Sequence, residues 1–107
     1  MTTFDDRKNR YEGKFAHDAE LRFKAEARRD KLLGRWAAEH MGLTGDKVEE
    51  YANSVVVADL EEPGDDDVFR KIKGDLADAG VDIDDETIRR RMDELLGLAI
   101  EEVQRDG

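Results

Sequence analysis

Apolar side chains recur along most of the chain at intervals of three and four residues, the spacing that places them on one face of an α-helix. Four such stripes are separated by short polar segments that contain glycine or proline. The pattern therefore predicts four helices joined by short connections. The stripes comprise Leu21, Ala25, Leu32, Leu33, Trp36, Ala37 and Met41; Val48, Tyr51, Ala52, Val55, Val56 and Leu60; Val68, Phe69, Ile72, Leu76 and Ala79; and Ile88, Met92, Leu95, Leu96, Ala99 and Val103.

The segments between the stripes predict where the helices end and begin. Gly42 and Gly80 follow the first and third stripes, where a left-handed residue commonly terminates a helix. Thr44 is a candidate N-cap for the second helix. Acidic clusters at 65–67 and 82–86 precede the third and fourth stripes, where open amides and the helix dipole favour carboxylates. Neither cluster has the ligand spacing of a calcium-binding EF-hand, so we expect helix capping there.

Two segments leave an alternative to this helix assignment. The run Val55–Val57 is β-branched, so a strand competes there, but its place in the second stripe favours a helix. Residues from Asp5 to about Met41 are helix formers without proline, which predicts one long helix or two helices in line. Gly13 and Gly34 are the residues of that segment that oppose continuity.

Composition narrows the fold class and the cell compartment. The chain has 107 residues, no cysteine and one proline in the sharp Pro63–Gly64 break, which excludes disulfides and thiolate metal sites. It has no secretory signal and no apolar run near the ~20 residues of a membrane span. We therefore expect an all-α protein of the cytoplasm, a small antiparallel four-helix bundle that does not insert into a membrane.

Charge is distributed unevenly along the chain. The net charge is −10, but residues 1–40 carry 10 basic and 8 acidic side chains while the rest carry 8 and 20. This balance argues against nucleic acid as a partner, because phosphate binding needs a concentrated basic surface. Two denser basic groups are expected to form surface ion pairs, and phosphate contact is the weaker alternative. These groups are Arg28, Arg29, Lys31 and Arg35, and Arg89, Arg90 and Arg91.

The sequence lacks the components of a recognisable catalytic site. His17 and His40 are the two imidazoles, and no nucleophile motif or glycine-rich phosphate loop accompanies them. We therefore predict that the protein is not an enzyme and carries no cofactor or metal. His17 lies near the start of the dense first stripe, so it is either a solvated side chain or a residue whose titration affects helix continuity.

Three aromatic residues stand out in the N-terminal segment, residues 1–18. Phe4, Tyr11 and Phe15 lie at i, i+7 and i+11, on one face of a helix that is otherwise mostly polar. Such a segment buries little apolar surface, so we expect it to be mobile in the free protein. The rings either pack back onto the bundle or anchor an amphipathic helix in a partner's groove, and sparse anchors favour the partner. We thus predict a binding segment over 1–18 and a bundle domain over 19–107.

Three long strings occur in a fixed order along the chain: MTTFDDRKNRYEGKFAHDAELRFKAEARRDKLLGRWAA, EEPGDDDVFRKI and IRRRMDELL. They closely resemble the ζ-subunit family, the ATPase inhibitors of the F-type ATP synthase of α-proteobacteria. The resemblance spans nearly the whole chain. It implies a four-helix bundle whose mobile N-terminal region inhibits ATP hydrolysis by the F1 sector, and a cytoplasmic protein that is peripheral to the inner membrane when bound.

The resemblance also implies a mechanism. The N-terminal segment of such inhibitors enters a cleft between a catalytic and a noncatalytic subunit of F1, becomes helical there and obstructs the hydrolytic cycle. The sequence departs from the family pattern at Gly13 and at the Asn9–Arg10 pair, which predicts weaker inhibition. The expected apolar anchors are Phe4, Tyr11 and Phe15, and the expected partners of cleft carboxylates are Arg7, Lys8, Arg10 and Lys14.

A second class of function remains open at this point. The chain can also be a non-enzymatic helical protein that binds a partner, or weakly an adenine nucleotide, through a face of the bundle. Deletion of residues 1–18 separates the two, since only a tail-dependent inhibitor loses its activity.

Overall fold

The computed structural model describes residues 19–106, and this part of the chain consists of four α-helices and their connections. The helices are α1 (Ala19–His40), α2 (Asp46–Glu61), α3 (Asp65–Asp78) and α4 (Asp85–Asp106). No strand occurs in the described residues, and the Val55–Val57 run lies inside α2. The predicted all-α, four-helix class is therefore confirmed.

The four helices alternate in direction. Asp30 and Arg35 of α1 contact Asp59 and Glu49 of α2, in reverse order, while Arg28 near the start of α1 pairs with Glu102 near the end of α4. Helix α1 therefore runs antiparallel to both α2 and α4, which lie on either side of it. Helix α3 packs against all three others and closes the core.

Two glycines end helices as predicted. Gly42 and Gly80 have φ angles of 79° and 77°, the left-handed region that glycine adopts without a steric penalty. The amide after each glycine reaches back five residues, with Leu43 N donating to the Ala38 carbonyl at 3.0 Å. This is the Schellman arrangement, which satisfies carbonyl groups that the helix leaves open.

The helix starts agree with prediction at α4 and disagree at α2. The Asp84 side chain accepts a 2.8 Å hydrogen bond from the Thr87 amide, so it is the N-cap of α4. Hydrogen bonds from the Thr87 side chain and from its amide lower the pKa of Asp84, because they stabilise the charged carboxylate. The N-cap of α2 is Gly45, without a side-chain bond, and Thr44 contributes only its backbone carbonyl, to the amide of Lys47. The predicted Thr44 cap is therefore wrong.

The core lies where the apolar faces of all four helices meet. Each helix contributes to it, and the partly buried rings of Trp36, Tyr51 and Phe69 pack around it. Burial of this apolar surface is the main stabilising contribution to the fold. The core residues are Leu33, Ala37, Val55, Val68, Ile72, Leu76, Ile88 and Met92.

Three sequence expectations are corrected by the packing. Leu60 and Ala79, placed in the stripes, are exposed at the ends of their helices, where no neighbouring helix among the described residues covers them. Gly34 does not interrupt α1, because it lies inside the helix and against α2. Arg29, expected on a charged surface, is only 2% exposed. Among the described residues, no helix combines the length and apolar character of a membrane span.

Candidate functional site

The predicted binding residues of the N-terminal segment, and the candidate titrating residue His17, lie outside the described residues. The structure therefore neither brings them together nor separates them. It does describe α1, which follows the segment directly in sequence, together with the surface around the start of this helix. The residues concerned are Phe4, Arg7, Lys8, Arg10, Tyr11, Lys14 and Phe15.

A small apolar cluster holds the start of α1 against the end of α4. Ala25 and Val103 are buried there, and Leu21 and Ile100 pack on them as half-buried neighbours. Helices α1 and α4 have 22 residues each, whereas α2 and α3 have only 16 and 14. The two longer helices therefore pair beyond the shorter ones, and their cluster is separate from the main core. The start of α1 therefore rests mainly on α4.

The outer face of α1 carries a row of four cations, which we call the basic ridge: Lys24, Arg28, Lys31 and Arg35. Their spacing of i, i+4, i+7 and i+11 aligns them along the helix axis. At 3.6 residues per turn they lie on the side of α1 opposite the core residue Leu33. The ridge thus faces away from the core over its whole length.

A groove of about 740 Å³ follows this ridge between α2 and α4. The α1 ridge forms its floor, Val56 belongs to the α2 wall, and Glu102 and Val103 belong to the α4 wall. Four positive side chains and one negative side chain line it, in a chain whose net charge is −10. The groove is therefore a basic surface on an acidic protein.

Three of the ridge cations form ion pairs, which are exposed at Lys24 and Arg35 and partly buried at Arg28. Lys24 Nζ lies 3.2 Å from Glu20, and Arg28 Nη1 lies 3.8 Å from Glu102 Oε2. Arg35 makes a two-pronged contact with Glu49, at 2.7 and 3.2 Å. Pairs that are largely exposed contribute little to stability, so the positions of these cations are not explained by the stability of the bundle.

The α2 wall carries apolar side chains that the core does not use. Val56 is half-buried and lines the groove, and Leu60, one helical turn later on the same face of α2, is 55% exposed. On α1, Phe23 lies in the same groove and is 54% exposed. An apolar strip therefore runs beside the basic ridge.

Two charged side chains are buried beneath this surface. Arg29 and Asp30 are 2% and 1% exposed, and Arg29 Nε donates to Asp30 Oδ1 at 2.8 Å. Arg29 Nη2 also donates to Asp65 Oδ1 of α3 at 3.1 Å, and Asp30 is hydrogen-bonded to Asp59 of α2. The cluster therefore ties α1 to the segment where α2 ends and α3 begins.

The environment of Asp30 changes its acidity. Burial and the hydrogen bond to Asp59 raise its pKa from 3.8 to about 8, despite the opposing effect of Arg29. Burial by itself lowers the pKa of Arg29, but the attraction of Asp30 and Asp65 outweighs it. Asp30 is thus mainly protonated at neutral pH and donates to the Asp59 carboxylate.

The sequence contained a signal for this buried pair that our prediction did not use. Arg29 lies midway between Ala25 and Leu33, four residues from each, so it continues the apolar stripe rather than the ridge. The distant partners are Asp65 for Arg29, 36 residues later in the chain, and Asp59 for Asp30. Helical spacing indicates the burial of Arg29, but it does not identify those partners.

The second basic group forms ion pairs, as predicted. Arg89 pairs with Asp66 at 2.8 Å, and its guanidinium lies 4.0 Å from the centre of the Phe69 ring. Arg90 and Arg91 both lie within 4 Å of Glu94. Arg90 and Arg91 also line a shallow cleft of about 280 Å³ with Trp36 and His40. Phosphate binding at this cleft stays a prediction.

The acidic cluster at the start of α3 forms intramolecular pairs. Asp65 pairs with Arg29, Asp66 with Arg89 and Asp67 with Arg70. These three aspartates occupy the first turn of α3, where the helix dipole stabilises negative charge. The part of the chain that the structure describes contains no group of three or more side chains arranged to hold a metal ion.

The comparisons with known proteins agree with the fold and with the sequence resemblance. A protein whose solution NMR structure has been determined is 40% identical to this chain, covers 81% of it and 99% of its own length, and superposes with a TM-score of 0.70. No curated protein matches the sequence. The family model for ATPase inhibitor subunit zeta matches residues 1–102. Because this match covers nearly the whole chain, the protein belongs to the ATPase inhibitor subunit zeta family.

Proposed function

We propose that this protein inhibits ATP hydrolysis by ATP synthase by inserting residues 1–18 as a helix into a catalytic interface of the F1 sector. Membership of the zeta family supports the inhibitor role and the association with ATP synthase. The observation that carries the finer proposal is that the family match includes the whole N-terminal segment, not only the bundle.

The chemistry of the segment suits insertion into a cleft. Phe4, Tyr11 and Phe15 place three rings on one helical face, and large aromatic side chains commonly dominate the binding energy of an interface. The cations Arg7, Lys8, Arg10 and Lys14 suit carboxylates along the cleft.

The bundle has a mechanical role in this proposal. An inserted helix obstructs the rotary cycle only if the enzyme cannot expel it easily. The segment is followed directly by α1, which packs along both α2 and α4. The bundle therefore keeps the segment attached to a bulky domain that stays outside the cleft. In this role the protein acts from the cytoplasm, peripheral to the membrane.

The test is an ATPase assay of the cognate F1 with wild-type protein and the double variant Tyr11→Ala/Phe15→Ala. We expect the variant to inhibit at least about thirtyfold more weakly, since interface aromatics commonly cost about 2 kcal/mol or more when truncated. Its thermal unfolding should match the wild type if the rings are buried only in the complex.

The matched control is Tyr11→Phe/Phe15→Leu, which keeps two large apolar side chains at the same positions. This control should inhibit nearly as well as the wild type. If the alanine variant inhibits normally, or if it melts at a much lower temperature, the rings belong to the bundle and the insertion proposal fails.

A further inference from the structure

The groove along the basic ridge has no role in the proposed insertion of residues 1–18, and its charged and apolar side chains face away from the core. We infer that this groove is a second contact with the F1 sector, which receives a carboxylate-rich helix bearing apolar side chains. This inference rests on the proposed function, because it takes F1 as the partner.

The charge of the groove argues for an acidic partner. Lys24, Arg28, Lys31 and Arg35 line it, and the carboxylates paired with them are Glu20, Glu49 and Glu102, so the ridge with its partners keeps a positive balance in a chain whose net charge is −10. Opposite potentials steer two proteins together and set their orientation. Most of this protein's surface repels an acidic partner, and the groove attracts it.

The apolar strip argues for a partner that also has hydrophobic side chains. Phe23 and Leu60 are each more than half exposed, Val56 lies in the wall of the groove, and Leu60 follows Val56 by one helical turn on the same face of α2. Asp30 contacts Asp59, and this register places Leu60 level with the first half of α1, beside the ridge. A helix with acidic and apolar faces matches both surfaces at once, as in other helix-in-groove interfaces.

The position of the groove argues for F1 rather than a remote partner. Lys24 lies five residues after Ala19, or about 8 Å along the helix, and Arg35 lies about 24 Å along it. If residues 1–18 occupy a cleft of F1, the ridge begins within two helical turns of the point where the chain leaves that cleft. The outer surface of F1 beside the cleft is then the nearest protein surface to the groove.

The first test measures the accessibility of the groove wall. The chain has no cysteine, so Leu60→Cys introduces a single thiol in the apolar strip. The matched control is Ala77→Cys, which places a thiol on an exposed position of α3, the helix on the other side of the bundle. Both full-length variants are treated with a maleimide, free and with purified F1.

We expect F1 to slow alkylation of the Leu60→Cys thiol about tenfold when about nine-tenths of the protein is bound, because only the free fraction reacts. The Ala77→Cys thiol should react at an unchanged rate. Equal rates for Leu60→Cys with and without F1, under conditions where ATP hydrolysis is inhibited, would overturn the groove contact and leave the insertion proposal intact.

Two other occupants would also overturn the inference, and the same experiment recognises them. If residues 1–18 of the same chain cover the groove, the Leu60→Cys thiol of the free protein is slow at every concentration. If a second copy covers it, that thiol becomes faster on dilution. We expect instead a fast, concentration-independent reaction in the free protein.

The second test reverses charge on the ridge. We expect Lys24→Glu/Lys31→Glu to raise the Kd for F1 about tenfold at low salt and to reduce its dependence on salt. The control Lys47→Glu/Arg70→Glu changes the net charge equally on surfaces away from the groove and should bind as the wild type does. Equal weakening by both pairs would indicate a general charge effect and refute a specific contact at the ridge.

Discussion

Arg29 and Asp30 are adjacent ionisable residues, and both are buried almost completely. A buried charge is costly unless it is paired and hydrogen-bonded. Here Arg29 donates to the carboxyl groups of Asp30 and Asp65, and protonation of Asp30 removes one negative charge from a site shared with Asp59 and Asp65. The proton therefore allows three acidic side chains and one guanidinium to lie close together around the buried Arg29 and Asp30.

This arrangement predicts a pH-dependent stability that one amide substitution removes. A pKa raised from 3.8 to about 8 means that folding takes up a proton. The stabilisation from Asp30 is then complete below pH 3.8, declines as pH rises towards 8, and declines no further above it. In Asp30→Asn the amide oxygen accepts from Arg29 and the amide nitrogen donates to Asp59, without a titration.

We therefore expect the free energy of unfolding of Asp30→Asn, relative to wild type, to rise between about pH 4 and pH 8. The slope is at most about 1.4 kcal/mol per pH unit. Urea unfolding followed by circular dichroism across this range measures it. The control is Asp78→Asn, a substitution at an exposed position. If the difference in unfolding free energy between Asp30→Asn and the wild type stays constant with pH, Asp30 is not protonated in the folded protein.

At the scale of the helices, α1 is organised by the different surfaces it presents. Its core face carries Leu33 and Ala37, and its outer face carries the basic ridge. Towards α2 it presents Gly34, whose backbone lies so close that an added Cβ would be 2.6 Å from the Ala52 Cα. The glycine is thus required by close helix packing rather than by a turn.

Gly34→Ala should destabilise the protein by about 1–3 kcal/mol, because α1 and α2 must separate to admit the methyl group. Gly74→Ala is the matched control, since a Cβ at that helical position meets no described atom within 4 Å. The control should raise stability by up to about 1 kcal/mol through helix propensity. Thermal unfolding of both variants measures the contrast, and a neutral Gly34→Ala would show that the interface adjusts freely.

The helix that residues 1–18 are proposed to form on F1 allows a similar test at Gly13. Gly13→Ala lowers the entropy that the segment loses on becoming helical. Inhibition should strengthen by up to about fivefold, corresponding to about 1 kcal/mol. Inhibition constants measured on one F1 preparation provide the comparison. Weaker inhibition by the alanine variant would indicate a bend or a close backbone approach at this position.

At the scale of the whole molecule, α1 packs into two apolar clusters of unequal size. The main core draws on all four helices, whereas the small cluster consists of Ala25 and Val103 with Leu21 and Ile100 beside them. The start of α1, which follows the proposed inhibitory segment, therefore has much less support than its second half.

This difference predicts a gradient of amide hydrogen exchange along α1. Amides around Leu33 and Ala37 should exchange only through global unfolding, while those around Leu21 and Ala25 should exchange through cheaper local opening. Exchange measured by NMR on the free protein gives residue-level rates. Uniform protection along α1 would show that the small cluster is as stable as the core.

The sequence by itself determined the number of helices, most of their ends and the family. Those features depend on neighbouring residues: apolar side chains three and four positions apart, Gly42 and Gly80 after a stripe, and Asp84 before one. The N-cap of α2 was missed because Gly45 occupies it without a side-chain bond, and sequence patterns rely on such bonds.

The tertiary structure decided which side chains are covered and by what. Leu60 follows the apolar spacing of α2 yet is exposed, because among the described residues no helix packs over that side of α2. Arg29 and Asp30 are charged yet buried, because Asp59 and Asp65 are brought to them from about thirty residues away. Periodicity fixes the face on which a side chain lies, but its neighbours across that face come from other helices, and only their packing specifies them.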